Sequence, residues 1–208
     1  MARATSRQRN PRGHGERLRE QLMDAAAEIL REHGNAGAVS VRAVTARAGV
    51  SPTALYLHFA GVDELLSAVL ERSFAELRRY LLAAESAHQG DADAQLMEMG
   101  RAYLAFAMEH PGHYATIFGP RTEPVEAAIK PQAGEDAFGD LVRAVSRCLR
   151  DDRDPHVVSA SIWAEMHGIV TLRHAIPGFE WPSLEAMLEE VCTAHLRRPV
   201  GGSRRDAR

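Results

Sequence analysis

Residues 40–59 read SVRAVTARAGVSPTALYLHF, and these twenty residues decide the fold. Ser40 suits a helix N-cap, because its hydroxyl can accept a hydrogen bond from a free backbone N–H of the first turn. Val41, Val44 and Ala48 recur at helical spacing and face a core. Gly49 supplies the positive φ that a helix exit needs. Ser51 and Pro52 then restart a helix, Ser51 as N-cap and Pro52 at the first position, where its missing N–H costs nothing. Leu55 and Phe59 carry the apolar face of this second helix. Thr53, Ala54, Tyr56 and His58 are left to point outward.

A helix, a tight turn and a second short helix form the pattern of a helix-turn-helix, whose second helix lies in a DNA major groove. An ordinary αα-hairpin is the alternative. The outward set favours DNA: hydroxyls at the start of the second helix, with Tyr56 and His58 one turn on, suit phosphates and base edges better than plain solvent. Ser40, Arg42, Ser51, Pro52, Thr53, Ala54, Tyr56 and His58 are therefore the candidate DNA-binding residues. Tyr56 and His58 are assigned to phosphates, Thr53 and Arg42 to sequence preference.

AGVSPTALYLHF at 48–59, followed by DELL at 63–66, closely resembles the DNA-binding signature of the tetracycline-repressor (TetR) family. The resemblance covers roughly residues 16–75. It implies a homodimeric transcription factor, in most members a repressor, with a small-molecule pocket in the C-terminal part. Two positions depart from the family pattern. Thr45 stands where Ala is frequent. Val62 stands where a phosphate-touching Lys is frequent, so that Ala60, Gly61 and Val62 offer only backbone N–H groups.

The chain has 208 residues, 45% of them hydrophobic and 25% charged, an ordinary globular composition with enough apolar mass for a substantial core. No apolar run approaches a membrane span, and the polar, basic stretch 1–12 is not a signal peptide. The two cysteines, Cys148 and Cys192, sit in apolar helical patterns and read as small core residues of a reduced, cytoplasmic protein. The net charge of −3 hides an asymmetry. Residues 1–60 carry nine Arg against five acidic residues, while the rest carries 16 basic against 23 acidic. A basic lobe on an acidic body suits a polyanion-binding unit.

In chain order, 1–15 is a basic flexible arm, either solvated or following DNA. Residues 16–33 form an amphipathic helix with Leu18, Leu22, Ala25, Ala26, Ile29 and Leu30 on one stripe, closed by Gly34. A long helix from 62 or 63 to about 85 buries Leu66, Leu70, Phe74, Leu77 and Leu81. The segment 86–93 is a loop. Residues 94–109 are helical and apolar on two faces, 113–118 make a short helical turn, and 120–131 is an irregular connection. Helices follow over 136–150, marked by Phe138, Leu141, Val142, Val145 and Leu149, then from Asp154-Pro155 to about 175, and from a Ser183 cap to about 197. The tail 199–208 is basic and disordered. The fold class is all-α with about nine or ten helices, a DNA-binding domain at 16–75 and a ligand-binding and dimerisation domain at 76–198.

In the helix from Pro155, Trp163 and His167 share a face at i and i+4, and Gly168 costs about 1 kcal/mol against Ala in a helix interior. A close helix contact would explain that glycine. W-x-x-x-H-G resembles the motif that names one C-terminal domain class of the TetR family. Met99, Tyr103, Phe106, Tyr114, Phe118, Trp163 and His167 offer apolar walls with a few polar tips, as small-molecule sites do. Plain core is the alternative for each. The last two helices carry Val158, Ile162, Met166, Ile169, Leu184, Leu188, Val191 and Cys192, apolar residues either for pairing with a second copy across a two-fold axis, which the family resemblance favours, or for burial inside the protomer. The expected partners are double-stranded DNA, a small-molecule effector and a second copy of the chain, with no membrane and no cofactor. His110 and His113, with Glu109 beside them, read as an ordinary polar cluster rather than a metal site. There is no P-loop, G-x-G-x-x-G, G-x-S-x-G or H-E-x-x-H motif, so no catalytic residue is assigned and no enzyme is expected.

Overall fold

A computed structural model describes residues 14–33, 36–88, 90–119 and 132–196. Nine α-helices and one 3-10 turn are present among them, and no strand. They are α1 (His14–His33), a 3-10 turn (Ala36–Ala38), α2 (Val41–Ala48), α3 (Pro52–Tyr56), α4 (Val62–Ser86), α5 (Ala92–Glu109), α6 (Pro111–Phe118), α7 (Gln132–Cys148), α8 (Pro155–Ala175) and α9 (Leu184–Leu196). No helix among the described residues is long and apolar enough to cross a membrane. The basic arm apart from residues 14 and 15, Gly34, the connection 120–131 and the basic tail lie outside the described residues.

The chain divides into two compact units, 1–73 with 112–131, and 74–111 with 132–208. In the first, the buried stripe of α1 (Leu22, Met23, Ala25, Ala26 and Ile29) packs with Val44 of α2, Leu55 of α3, Phe59, and Leu65, Leu66, Val69 and Leu70 of α4. Leu18 and Leu30, expected on the same stripe, lie half-buried at its edges. Salt bridges close the outside. Arg47 of α2 reaches Glu28 at 3.3 Å and Glu32 at 2.5 Å, and Arg72 of α4 reaches Glu20 at 2.9 Å and Asp24 at 2.8 Å. The hydrogen bond from Arg47 holds the Glu32 carboxyl below its ordinary value. The acidic face of α1 is thus the clasp for α2 and α4.

The second unit is built on α5, which packs against α7, α8 and α9. Asp91 caps α5 by accepting from the N–H groups of Asp93 and Ala94, so the helix begins two residues before the sequence expectation. Leu96, Met99, Tyr103 and Phe106 are buried as one stripe; of the other, Leu104 is buried but Met108 is 36% exposed. At Gly100 the approach of α9 is closest, since a Cβ there would lie 2.5 Å from Leu188 Cδ1. Asp154 and Ser183 cap α8 and α9 as expected, accepting from His156 N at 2.9 Å and Ala186 N at 3.1 Å.

The sequence reading of α7 needs correction. The helix starts at Gln132, one turn earlier than 136, and its buried face is Ala133, Ala137, Asp140, Ala144, Val145 and Cys148. Phe138, Leu141, Val142 and Leu149 are only half-buried. Small side chains let this helix approach its neighbours closely, and bulk is displaced to the flank; Gly134 sits on the Phe74 ring of α4. Asp140 is 1% exposed. It accepts from Arg78 Nε at 2.6 Å and pairs with Arg143. Burial pushes its carboxyl up, but the two guanidiniums outweigh this and hold it below its ordinary value. Both thiols are buried, and burial pushes Cys148 up to about 12 and Cys192 up to about 11, which keeps them protonated at neutral pH.

Two predictions follow from this packing. Gly100→Ala adds a methyl against fully buried Leu188; overpacking of about 1–3 kcal/mol exceeds the roughly 1 kcal/mol gained in helix propensity. Thermal unfolding should therefore show a lower midpoint. Asp140→Asn should cost about 1–2 kcal/mol at pH 7, as measured by denaturant titration. Because the folded carboxyl is depressed, its contribution is complete above the unfolded value of about 3.9 and disappears as pH falls through the folded one, so wild type and variant should converge in acid.

Candidate nucleic-acid interface and effector region

Ser40 adopts extended backbone, and its Oγ accepts from Ala43 N at 3.2 Å, opening α2. Gly49 closes α2 at φ 67°, a left-handed conformation that favours glycine, and its N–H is spent on the end of the helix. Inside α2, Thr45 is buried and its hydroxyl donates to the Val41 carbonyl at 2.7 Å, so the polar group that replaces the frequent Ala is satisfied within its own helix. Pro52 opens α3 at its first turn as expected. Ser51 holds the N-cap position, but its side chain makes no capping hydrogen bond, a correction to its assigned capping role. The hydroxyl stays on the exposed rim.

The orientation of α3 follows from Leu55, which is fully buried opposite the exposed side. Ser40, Arg42, Ser51, Pro52, Thr53 and Tyr56 are exposed; Ala54 and His58 are half-buried. His58 lies beside the start of α1, where a Cβ on Gly15 would be 3.6 Å from its ring. Leu57, which sequence reasoning left unassigned, keeps α-helical dihedrals and is 75% exposed. Its spacing could have found it: Thr53, Tyr56 and Leu57 stand at i, i+3 and i+4, the face opposite Leu55. After α3, Glu64 reaches back to accept from Ala60 N at 2.5 Å, so that N–H is committed to starting α4 and Val62 packs on the core.

The seven candidate effector residues are distributed over both units. Met99, Tyr103 and Phe106 on α5 are buried in the second unit, as is Tyr114 on α6 in the first, with Phe118 half-buried beside it at a ring separation of 4.8 Å. Trp163 is 41% exposed, its ring 5.9 Å from Phe138, so within the protomer it is a surface group rather than an enclosed wall. His167 is half-buried and 3.4 Å from Thr171 Oγ1; burial lowers its pKa. The sequence analysis overlooked Tyr80. Its hydroxyl lies 2.8 Å from His110 Nε2, and both rings pack on Phe106 at 5.5 and 5.3 Å. Tyr80 falls off the apolar stripe of α4, which hid it. His110 belongs to this aromatic cluster, and among the described residues no group of three or more His, Cys, Asp or Glu side chains could hold a metal ion.

On α8, Val158, Ile162, Met166 and Ile169 are buried inside the protomer, as are Leu188, Val191 and Cys192 of α9. These residues, expected to pair with a second copy, are already used by the protomer's own core. The outer face of α8 instead carries Val157, Ala164, Gly168 and Thr171. Val157 is 61% exposed, and a Cβ at Gly168 would meet nothing within 4 Å. The close contact expected at this glycine does not occur among the described residues.

Residues 22–69 match the family model of the bacterial regulatory proteins of the tetR family, and residues 96–196 that of the tetracyclin repressor-like C-terminal domain. The uncharacterized HTH-type transcriptional regulator YobS of Bacillus subtilis is 31% identical over 114 residues, covering 53% of this chain and 58% of that protein. The match thus spans less than two thirds of that relative's length. A Rhodococcus sp. RHA1 protein of unknown function superimposes with a TM-score of 0.70 at 25% identity, over 91% of this chain and 98% of the other. A TetR family transcription regulator from Marinobacter aquaeolei VT8 gives 0.69 at 18% identity, over 86% and 95%. The transcriptional regulator FadR from Bacillus subtilis, in complex with stearoyl-CoA, gives 0.70 at 14% identity, over 86% and 97%. At such identities the last two establish likeness of fold.

Proposed function

Because the chain belongs to the TetR family of DNA-binding transcriptional regulators, we propose that it is a homodimeric repressor, acting in the cytoplasm, that leaves its operator when a small, largely apolar ligand binds. The observation that carries the reading is the exposure of Thr53 and Tyr56 on a helix anchored from behind by fully buried Leu55. Thr53 and Arg42 face base edges, and Tyr56, His58 and the exposed Ser51 hydroxyl hold phosphates. Ser40, Pro52 and Ala54 shape the surface between them.

Two copies pair through the outer face of α8, where Ala164, Gly168 and Thr171 let a second helix come close. Gly168, where a Cβ would meet nothing within 4 Å among the described residues, supports this placement. Pairing sets recognition helices at half-sites roughly 34–36 Å apart or a multiple of that. Within the second unit, Met99, Tyr103, Phe106, Trp163 and His167 receive the ligand, and Tyr80 and His110 add polar tips. The fold neighbour FadR, which carries stearoyl-CoA, supports an apolar effector class. A ligand that prefers one spacing of the recognition helices shifts the population by its differential affinity, typically about 1–3 kcal/mol of coupling.

The test is binding of the full chain to duplexes selected from a randomised library. Wild type should sediment as a dimer and bind with a steep salt dependence. Tyr56→Ala should weaken all duplexes by about tenfold without changing the melting temperature. Ala164→Arg should sediment as a monomer and lose most of its affinity. Unchanged affinity in Tyr56→Ala contradicts the DNA surface, and a dimeric Ala164→Arg contradicts the pairing face. Operator binding that no apolar compound relieves favours a ligand-independent regulator.

A further inference from the structure

We infer that Leu57 reads a thymine through its C5-methyl group, making it a specificity-determining residue of the operator contact; the inference rests on the regulator reading of the same surface. In the first unit, the exposed large hydrophobics among the described residues are Tyr56, at 57%, and Leu57, at 75%. A protein-docking patch gathers several large apolar side chains. Here a single exposed aliphatic side chain follows Tyr56 and stands one turn from exposed Thr53. Leu57 extends the helical turn of α3, with φ −74° and ψ −17°, so the spacing argument holds through it. It lies one turn from Thr53 on the same face, directly opposite the buried Leu55.

Whatever Thr53 meets, Leu57 meets next to it. Side chains at i and i+4 stand about 5–6 Å apart, and base pairs step about 3.4 Å along the duplex. The group in front of Leu57 therefore lies within about two base pairs of the one in front of Thr53. In the major groove, thymine presents the one apolar handle among the four bases, its C5-methyl. An exposed leucine on a groove-facing helix gains from that methyl and from no hydrogen-bonding edge. The absence of a hydrogen-bonding group at this position makes the contact a methyl reader rather than a general base reader.

The experiment removes the two halves of the contact separately. A randomised duplex library is selected with the full-length wild-type protein. Each enriched dT is then replaced singly by deoxyuridine, which lacks only the methyl, and affinities are measured at fixed salt by fluorescence anisotropy. At one thymine per half-site, uracil should weaken wild type about three- to fivefold, the value of one buried methyl. Leu57→Ala should bind the thymine duplex less tightly and be indifferent to uracil at that position. Leu57→Met, which keeps an apolar tip, should retain part of the sensitivity. The sensitive thymine should lie within about two base pairs of the position whose preference Thr53→Ala changes. Equal uracil sensitivity in wild type and Leu57→Ala, or none in wild type, overturns the inference alone. A library that yields no enriched sequence overturns it together with the regulator reading.

Discussion

A five-residue helix has no stability of its own, because nucleation costs more than so few hydrogen bonds return. That α3 is a helix at all depends on burial of Leu55 and Phe59 among Leu22, Ile29, Val44 and Leu66. Each buried side chain of this size contributes about 1.5–3 kcal/mol, enough to fix a short element but only in one rotation about its axis. The exposed face of Thr53, Tyr56 and Leu57 is the geometric complement of the buried one. Gly49 sets the direction in which α3 leaves α2, since its left-handed backbone lets the chain turn within three residues. The surface proposed to meet DNA is therefore specified by apolar contacts made behind it.

Electrostatics has a secondary, organising role. Arg47 and Arg72 consume four carboxylates of α1 at short range. Exposed pairs of this kind are individually weak. Their effect is to remove negative charge that would otherwise oppose a polyanion. In the other unit, Asp140 is a buried anion held by Arg78, which ties α4 to α7 by a directional contact where most of the packing is apolar. Helix α4 begins in the first unit and ends in the second, so it joins the two units covalently.

The helix-turn-helix was legible because local rules agree there: the Ser40 cap, a glycine exit, a proline start and apolar spacing all give one answer. Helices α8 and α9 were legible from Asp154-Pro155 and Ser183 for the same reason. The α7 face was not. Spacing arguments weight bulky apolar residues, whereas the buried side of α7 is made of alanines and an aspartate whose partners lie 62 and 3 residues away in sequence. Leu57 was missed for a related reason: a leucine reads as core unless the rotation of its helix is known. Trp163 and Gly168 show a third limit. Their sequence context marks them, but Trp163 is partly exposed and a Cβ at Gly168 would meet nothing within 4 Å among the described residues, so spacing alone does not say what they pack against.

The central claim is that the 40–58 surface, held from behind by Leu55, is where the duplex docks. Amide hydrogen exchange of the full chain, with and without a saturating selected duplex, tests it most directly. The account predicts slowed exchange in peptides covering 40–58, with the buried core of α5 unchanged. Protection that leaves 40–58 untouched and appears elsewhere would contradict it.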